Sequence, residues 1–191
     1  MSDTPTKPEV AVPDGWVETE TTTEEVFSVS KVTVTATTVV FEDEHLREQL
    51  ATVGDEEGGV RRFAFASRLS LRPATRPSKP LTKLVTSRAK AGFADRLRER
   101  GLSDVSAAET RRFRVGGTEA TLVRFDAACA VAEGRFAVDG WVAIWPDERD
   151  GSYLVAGGAY PTQVLEGEAD SSVLLPGRFR DELLDVVRSV R

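Results

Sequence analysis

Histidine and cysteine are the side chains most often used for proton transfer or nucleophilic attack near neutral pH, and this chain has one of each, His45 and Cys129. His45 lies among Glu42, Asp43, Glu44 and Glu48. A Ser-His-Asp triad would need it, yet no Gly-x-Ser-x-Gly turn is present and no serine is placed beside it. It reads as a solvated histidine at a helix start. Cys129, within Ala127-Ala128-Cys129-Ala130-Val131, has no neighbouring base or cation to stabilise a thiolate and reads as a small buried hydrophobe. A single cysteine excludes an intrachain disulfide, and His45 with Cys129 falls far short of the four ligands of a structural zinc site. The loop Asp147-Glu148-Arg149-Asp150-Gly151 has carboxylates and a glycine without calcium-loop spacing, so it reads as a hairpin turn. Gly157-Gly158 follows a strand, but neither a helix nor a lysine completes a phosphate cradle, and close strand packing or a bulge explains the pair better. No catalytic residue, metal ligand or cofactor follows from these motifs, and the expectation is a protein without a cofactor that is not an enzyme.

Charge is the pattern that stands out. Residues 1–60 carry 14 acids and 3 bases, residues 61–114 carry 4 acids and 15 bases, and residues 115–191 carry 13 acids and 7 bases, so a basic block is set inside a chain of net charge −6. Two readings compete. In one, Arg62, Arg68, Arg72, Arg88, Arg96 and Arg98 form an exposed patch for nucleic acid or a phosphorylated ligand, with Arg76, Lys79, Lys83, Lys90 and Arg100 nearby. In the other, which we favour, the segment faces acidic neighbours across the fold. Phe63 and Phe65 read as core, so no aromatic platform for base stacking accompanies the charge. Arginine outnumbers lysine 20 to 5, a bias resembling proteins of salt-loving archaea and equally a product of GC-rich coding.

The elements that would carry these residues begin at Trp16. Residues 1–14 are polar with three prolines and are expected as a flexible arm or edge segment, leaving 15–191 as one domain. Val32, Val34 and Ala36 alternate with Lys31, Thr33, Thr35 and Thr37, predicting a half-buried strand preceded by a shorter one around Trp16–Thr21, with a Thr/Glu turn between them. A short helix over Asp43–Thr52 and a strand over Val60–Leu71 follow. Ser78 is placed to cap a helix over 80–100 whose Leu81, Leu84, Val85, Ala89, Phe93 and Leu97 form one stripe. From Arg112 to Pro161 we expect four short strands, the first two joined by Gly116-Gly117, which supply the positive φ of a type I′ turn. A last amphipathic helix covers 176–190. No apolar run is long enough to span a membrane, and Met1–Val10 has neither the basic nor the apolar region of a secretion signal, so no membrane association and a cytoplasmic location are expected.

With that order of elements, Val12-Pro13-Asp14-Gly15-Trp16, Val115-Gly116-Gly117-Thr118-Glu119-Ala120, Tyr153-Leu154-Val155-Ala156 and the ending Phe179, Leu183, Val187-Arg188-Ser189 resemble the PsbP-like family. That family includes the extrinsic photosystem II protein, a nuclear-transport factor that binds the Ran GTPase, and mycobacterial lipoproteins. The chain departs from the lipoprotein branch in having no N-terminal lipid-anchoring cysteine. The resemblance implies an α+β fold, a single central antiparallel sheet of roughly six strands with helices on both faces. It also implies a non-enzymatic domain that binds another protein, and the composition adds salt-loving archaea as a source. The alternative is nucleic-acid or phosphorylated-ligand binding through residues 61–114. Partner and oligomeric state are not set by the residues.

Overall fold

Long β-branched stretches interrupted by tight turns favour antiparallel pairing, and among the described residues seven strands pair in this way six times. The structure is a computed structural model that describes residues 5–51, 62–147 and 151–191. Its strands are β1 (Trp16–Val29), β2 (Val32–Asp43), β3 (Phe63–Arg72), β4 (Leu102–Val115), β5 (Thr118–Val131), β6 (Gly134–Asp147) and β7 (Ser152–Gly167). The helices are α1 (Glu44–Gln49), α2 (Lys79–Glu99) and α3 (Pro176–Ser189), with a single 3-10 turn at Ser171–Val173. All neighbouring strands are antiparallel in the order β1-β2-β3-β7-β6-β5-β4.

Local chemistry sets the corners. Gly116 and Gly117, with φ of 53° and 89°, close the β4–β5 hairpin as the sequence predicts, and Ser30, with φ of 56°, closes β1–β2. The side chain of Ser78 accepts from the Leu81 N–H at the start of α2, and that of Asp43 accepts from the Leu46 N–H at the start of α1. The non-local step is β3 with β7, which pairs Phe63 with Ala159 and Leu69 with Tyr153. It places β3 in the middle of the sheet, where both its faces are buried.

The two long helices meet different surfaces of the sheet. Phe93 of α2 stacks on Phe65 at 5.6 Å and meets Phe125 edge-on at 5.5 Å, while Gly140 lies 3.1–3.3 Å from Leu97 and Phe93. Residues one step along each strand turn the other way. There Gly158 meets Leu183 of α3, and Tyr160 meets Phe179 edge-on at 6.2 Å. A Cβ on Gly158 would lie 2.0 Å from the Phe63 carbonyl oxygen, so close packing explains this glycine.

The expected architecture requires correction. The sheet has seven strands, not roughly six, and strand dominates the chain, so a six-stranded sheet with helices on both faces does not describe it. The edges account for much of the difference. β1 runs unbroken through the Thr/Glu stretch expected as a turn, because each of its bulges is absorbed by pairing with β2. β4 begins at Leu102, ten residues before Arg112, through a polar stretch with no apolar alternation. Phe63, Phe93, Leu122, Ile144 and Leu183 are buried as expected, and Leu84 is partly exposed. Gly54–Gly59, Val60 and Glu148–Asp150 lie outside the described residues.

The segment expected as an arm is docked from residue 5 onward. Glu9 and Arg191 exchange backbone N–H···O=C bonds of 3.0 and 3.1 Å, the Ser189 hydroxyl accepts from the Ala11 N–H, and Val10 and Val12 pack on the core.

Candidate functional site

The six arginines of the expected patch do not share a surface. Arg62 and Arg68 are 3% and 8% exposed. The Arg62 guanidinium donates to Asp43 (3.1 Å) and to the Phe179 carbonyl (3.2 Å), pairs with Glu182 (2.8 Å), and lies between the rings of Trp16 and Phe179. Arg68 donates to Asp147 at 2.9 Å and to the Ser152 hydroxyl at 3.2 Å. Their charge is spent inside the molecule, so neither can serve the reading in which all six form an exposed patch. Arg72, at the end of β3, and Arg98, paired with Asp95, are exposed. Arg88 and Arg96 stand together on α2, and they lead to the site that the fold does build.

Helix α2 packs on β4, β5 and β6 and reaches β3 through the stacked Phe93–Phe65 pair, while its Arg88 and Arg96 side chains extend toward β1. Cross-strand register brings Glu24, Ala36 and Leu69 into one row, and Thr22, Thr38, Ser67 and Val155 into the next. These rows line a groove of about 700 Å³ whose other wall is Arg88, Ala89, Gly92, Asp95, Arg96 and Glu99 of α2. Phe65, Leu69, Ala36 and Val155 make the floor apolar. Its buried hydroxyls, Thr38 and Ser67, hydrogen-bond each other at 2.7 Å. At Gly92 nothing lies within 4 Å of where a Cβ would sit, so the wall is recessed there.

Charge of opposite sign faces across the opening. Arg96 reaches Glu24 at 3.6 Å, and the Arg88 guanidinium lies 5.8 Å from the Phe27 ring centre. Arg100, the residue after α2, pairs with Glu42 at 3.2 Å and covers Phe63 at 4.2 Å. The acidic first third of the chain thus meets the basic middle third across this groove. With side chains 28% and 55% exposed, the Arg96–Glu24 pair is worth under about 1 kcal/mol and is readily exchanged for contacts to a ligand.

The other candidates stay apart from the groove. His45 is exposed on α1. Cys129 is buried in β5, and burial pushes its thiol pKa up, away from the thiolate. Among the described residues no group of three or more His, Cys, Asp and Glu side chains could hold a metal ion. Of the groove acids on β1, Glu24 was missed in the sequence because the Thr/Glu stretch carrying it resembled a turn, and Glu20 lies near the end of the expected strand. A strand of alternating Thr and Glu with few apolar residues is the signal for an edge strand with one polar side.

The chain belongs to the family described as a domain of unknown function, DUF6517, whose model matches residues 4–191. That span takes in every strand and helix, and also the docked segment ahead of Trp16. No curated protein and no solved structure matches the chain. No helix among the described residues is long and apolar enough to cross a membrane.

Proposed function

We propose that this chain is a non-enzymatic binding module that holds a segment of a partner protein in the groove between α2 and the β1–β3 part of the sheet. The observation that carries the reading is the groove itself, with a buried apolar floor at Phe65 and Leu69 and oppositely charged Glu24 and Arg96 at its rims. An apolar anchor flanked by both signs of charge matches such a surface, and a protein segment supplies that mixture where a nucleic-acid backbone supplies negative charge alone. The PsbP-like motifs point toward a protein partner as well. A free buried thiol suits a reducing compartment, and we place the module in the cytoplasm.

The nucleic-acid or phosphorylated-ligand reading keeps Arg72, Arg88, Arg96 and Arg98 and loses Arg62 and Arg68 to the interior. A displayed random-peptide library selected against the full chain tests the first reading. Selected peptides are expected to bind the wild type and the Arg112→Gln variant equally, and to lose at least tenfold in affinity with Gly92→Trp, which fills the groove. Peptides that bind Gly92→Trp undiminished, or a selection that yields none, would remove the groove from consideration. A micromolar complex with DNA or RNA at physiological salt, abolished when Arg72, Arg88 and Arg98 are changed to glutamine, would put the second reading first.

A further inference from the structure

On the side of the sheet that α3 covers, a second cavity of about 320 Å³ opens beside the first turn of that helix. Glu109 and Arg111 reach it from β4, Arg124 from β5, Asp139 and Trp141 from β6, and Tyr160 from β7, with Pro176, Gly177 and Arg180 closing it from α3. The polar capacity already used can be counted. Arg124 engages both carboxylates, Asp139 at 3.4 Å and Glu109 at 3.9 Å, and also pairs with Asp126.

Beside these two carboxylates the cavity also holds donors. The Tyr160 hydroxyl accepts from the Trp141 indole N–H at 2.9 Å, so its own proton points elsewhere, and it meets no acceptor among the described residues. The residue is 1% exposed, and burial is the main cause that pushes its pKa up to about 12, so the O–H stays protonated. The Arg111 guanidinium lies 5.2 Å from the Trp141 ring centre and makes no ion pair among the described residues. At the start of α3, Leu175 offers no side-chain cap and Pro176 has no N–H, so the amides of Gly177 and Arg178 lack an intrahelical acceptor. Among the described residues Arg180 donates only to the adjacent Asp181.

A buried hydroxyl with a proton to give, a guanidinium 5.2 Å from an indole ring centre and the first-turn residue Gly177 line one cavity. We propose that this cavity binds an oxyanion, the carboxylate or phosphoryl group of a small ligand, through the Tyr160 hydroxyl, Arg111 and the Gly177 amide. The site is separate from the α2 groove and stands or falls independently of it.

Titration of the labelled full chain with inorganic phosphate and with acetate, at ionic strength held constant with chloride, tests the proposal. At least one anion is expected to saturate with a Kd of about 1 mM or tighter and to shift the Gly177 amide resonance. Phosphate alone assigns a phosphoryl group, acetate alone a carboxylate, and either supports the site. Arg111→Gln, on an exposed position, and Tyr160→Phe, which keeps the ring, are each expected to weaken binding at least tenfold, while Arg112→Gln changes nothing. Saturation by neither anion, wild-type affinity in both cavity variants, or an equal loss in Arg112→Gln would overturn it, the last by showing charge screening without a site.

Discussion

Arg62 shows how one side chain can tie distant parts of a chain together. It joins the N-cap of α1 through Asp43, the middle of α3 through Glu182, and the beginning of β1 through Trp16. Removing one member of a buried ion pair leaves the others charged and desolvated, so Arg62→Ala should lower unfolding stability by about 3–5 kcal/mol in a denaturant melt. Its partner Glu182 gives the pH signature. Burial raises the Glu182 pKa, but hydrogen bonds from Arg178 and Arg62 outweigh that effect and hold it below its ordinary value. A carboxylate with a lowered folded-state pKa contributes stability that is complete above its unfolded value, about 4.3, and is lost as the pH falls through the folded value. Melting temperatures taken below about pH 4.3 should therefore fall more steeply for the wild type than for Glu182→Gln. The sequence placed Phe63 and Phe65 in the core correctly but could not show that Arg62 and Arg68 are inside. They share a strand face with Ala64 and Ala66, and alanine is as acceptable on an open face as on one covered by a helix.

Glycines make the sharpest contrast at the scale of elements. Gly158→Ala sets a methyl group 2.0 Å from the Phe63 carbonyl oxygen and against Leu183, so β3, β7 or α3 must shift. Thermal melts should show a loss of about 1–3 kcal/mol or more. Gly92→Ala, on the open side of α2, meets nothing within 4 Å and should stabilise the protein by about 0.5–1 kcal/mol through helix propensity. Helices α2 and α3 were legible in the sequence because an apolar stripe, a capping serine and a terminal glycine or proline marked them. The length of β1 and the first half of β4 were not. Both are edge strands whose exposed Thr, Ser and Glu residues have no buried face to impose alternation, and pairing with one neighbour is what holds them.

At the scale of the molecule, the two ends of the described chain close on each other. Deleting residues 1–12 removes the Glu9–Arg191 backbone bonds, the contact of Ala11 with Ser189 and the packing of Pro8, Val10 and Val12. We expect the shortened chain to fold with a stability lower by about 2–4 kcal/mol, read as a shift in denaturation midpoint. The segregation of charge along the sequence is likewise a property of the whole. The acidic first third and the basic middle third become opposite walls of one groove, a relation set by register across β1, β2 and β3 and by where α2 crosses the sheet. The sequence supplied the charges and the idea that they face each other, but not the apolar floor between them, which depends on that long-range pairing.

The claim that this groove is the binding face is tested most directly by amide chemical-shift mapping of the full chain with a peptide selected on it. The largest changes should fall on Thr22 and Glu24 of β1, Thr38 of β2, Ser67 of β3 and Gly92 and Arg96 of α2, with β4 and the start of α3 unmoved. Changes centred on the exposed edge of β4, or on Gly177 and Arg178, with the groove residues undisturbed, would contradict it.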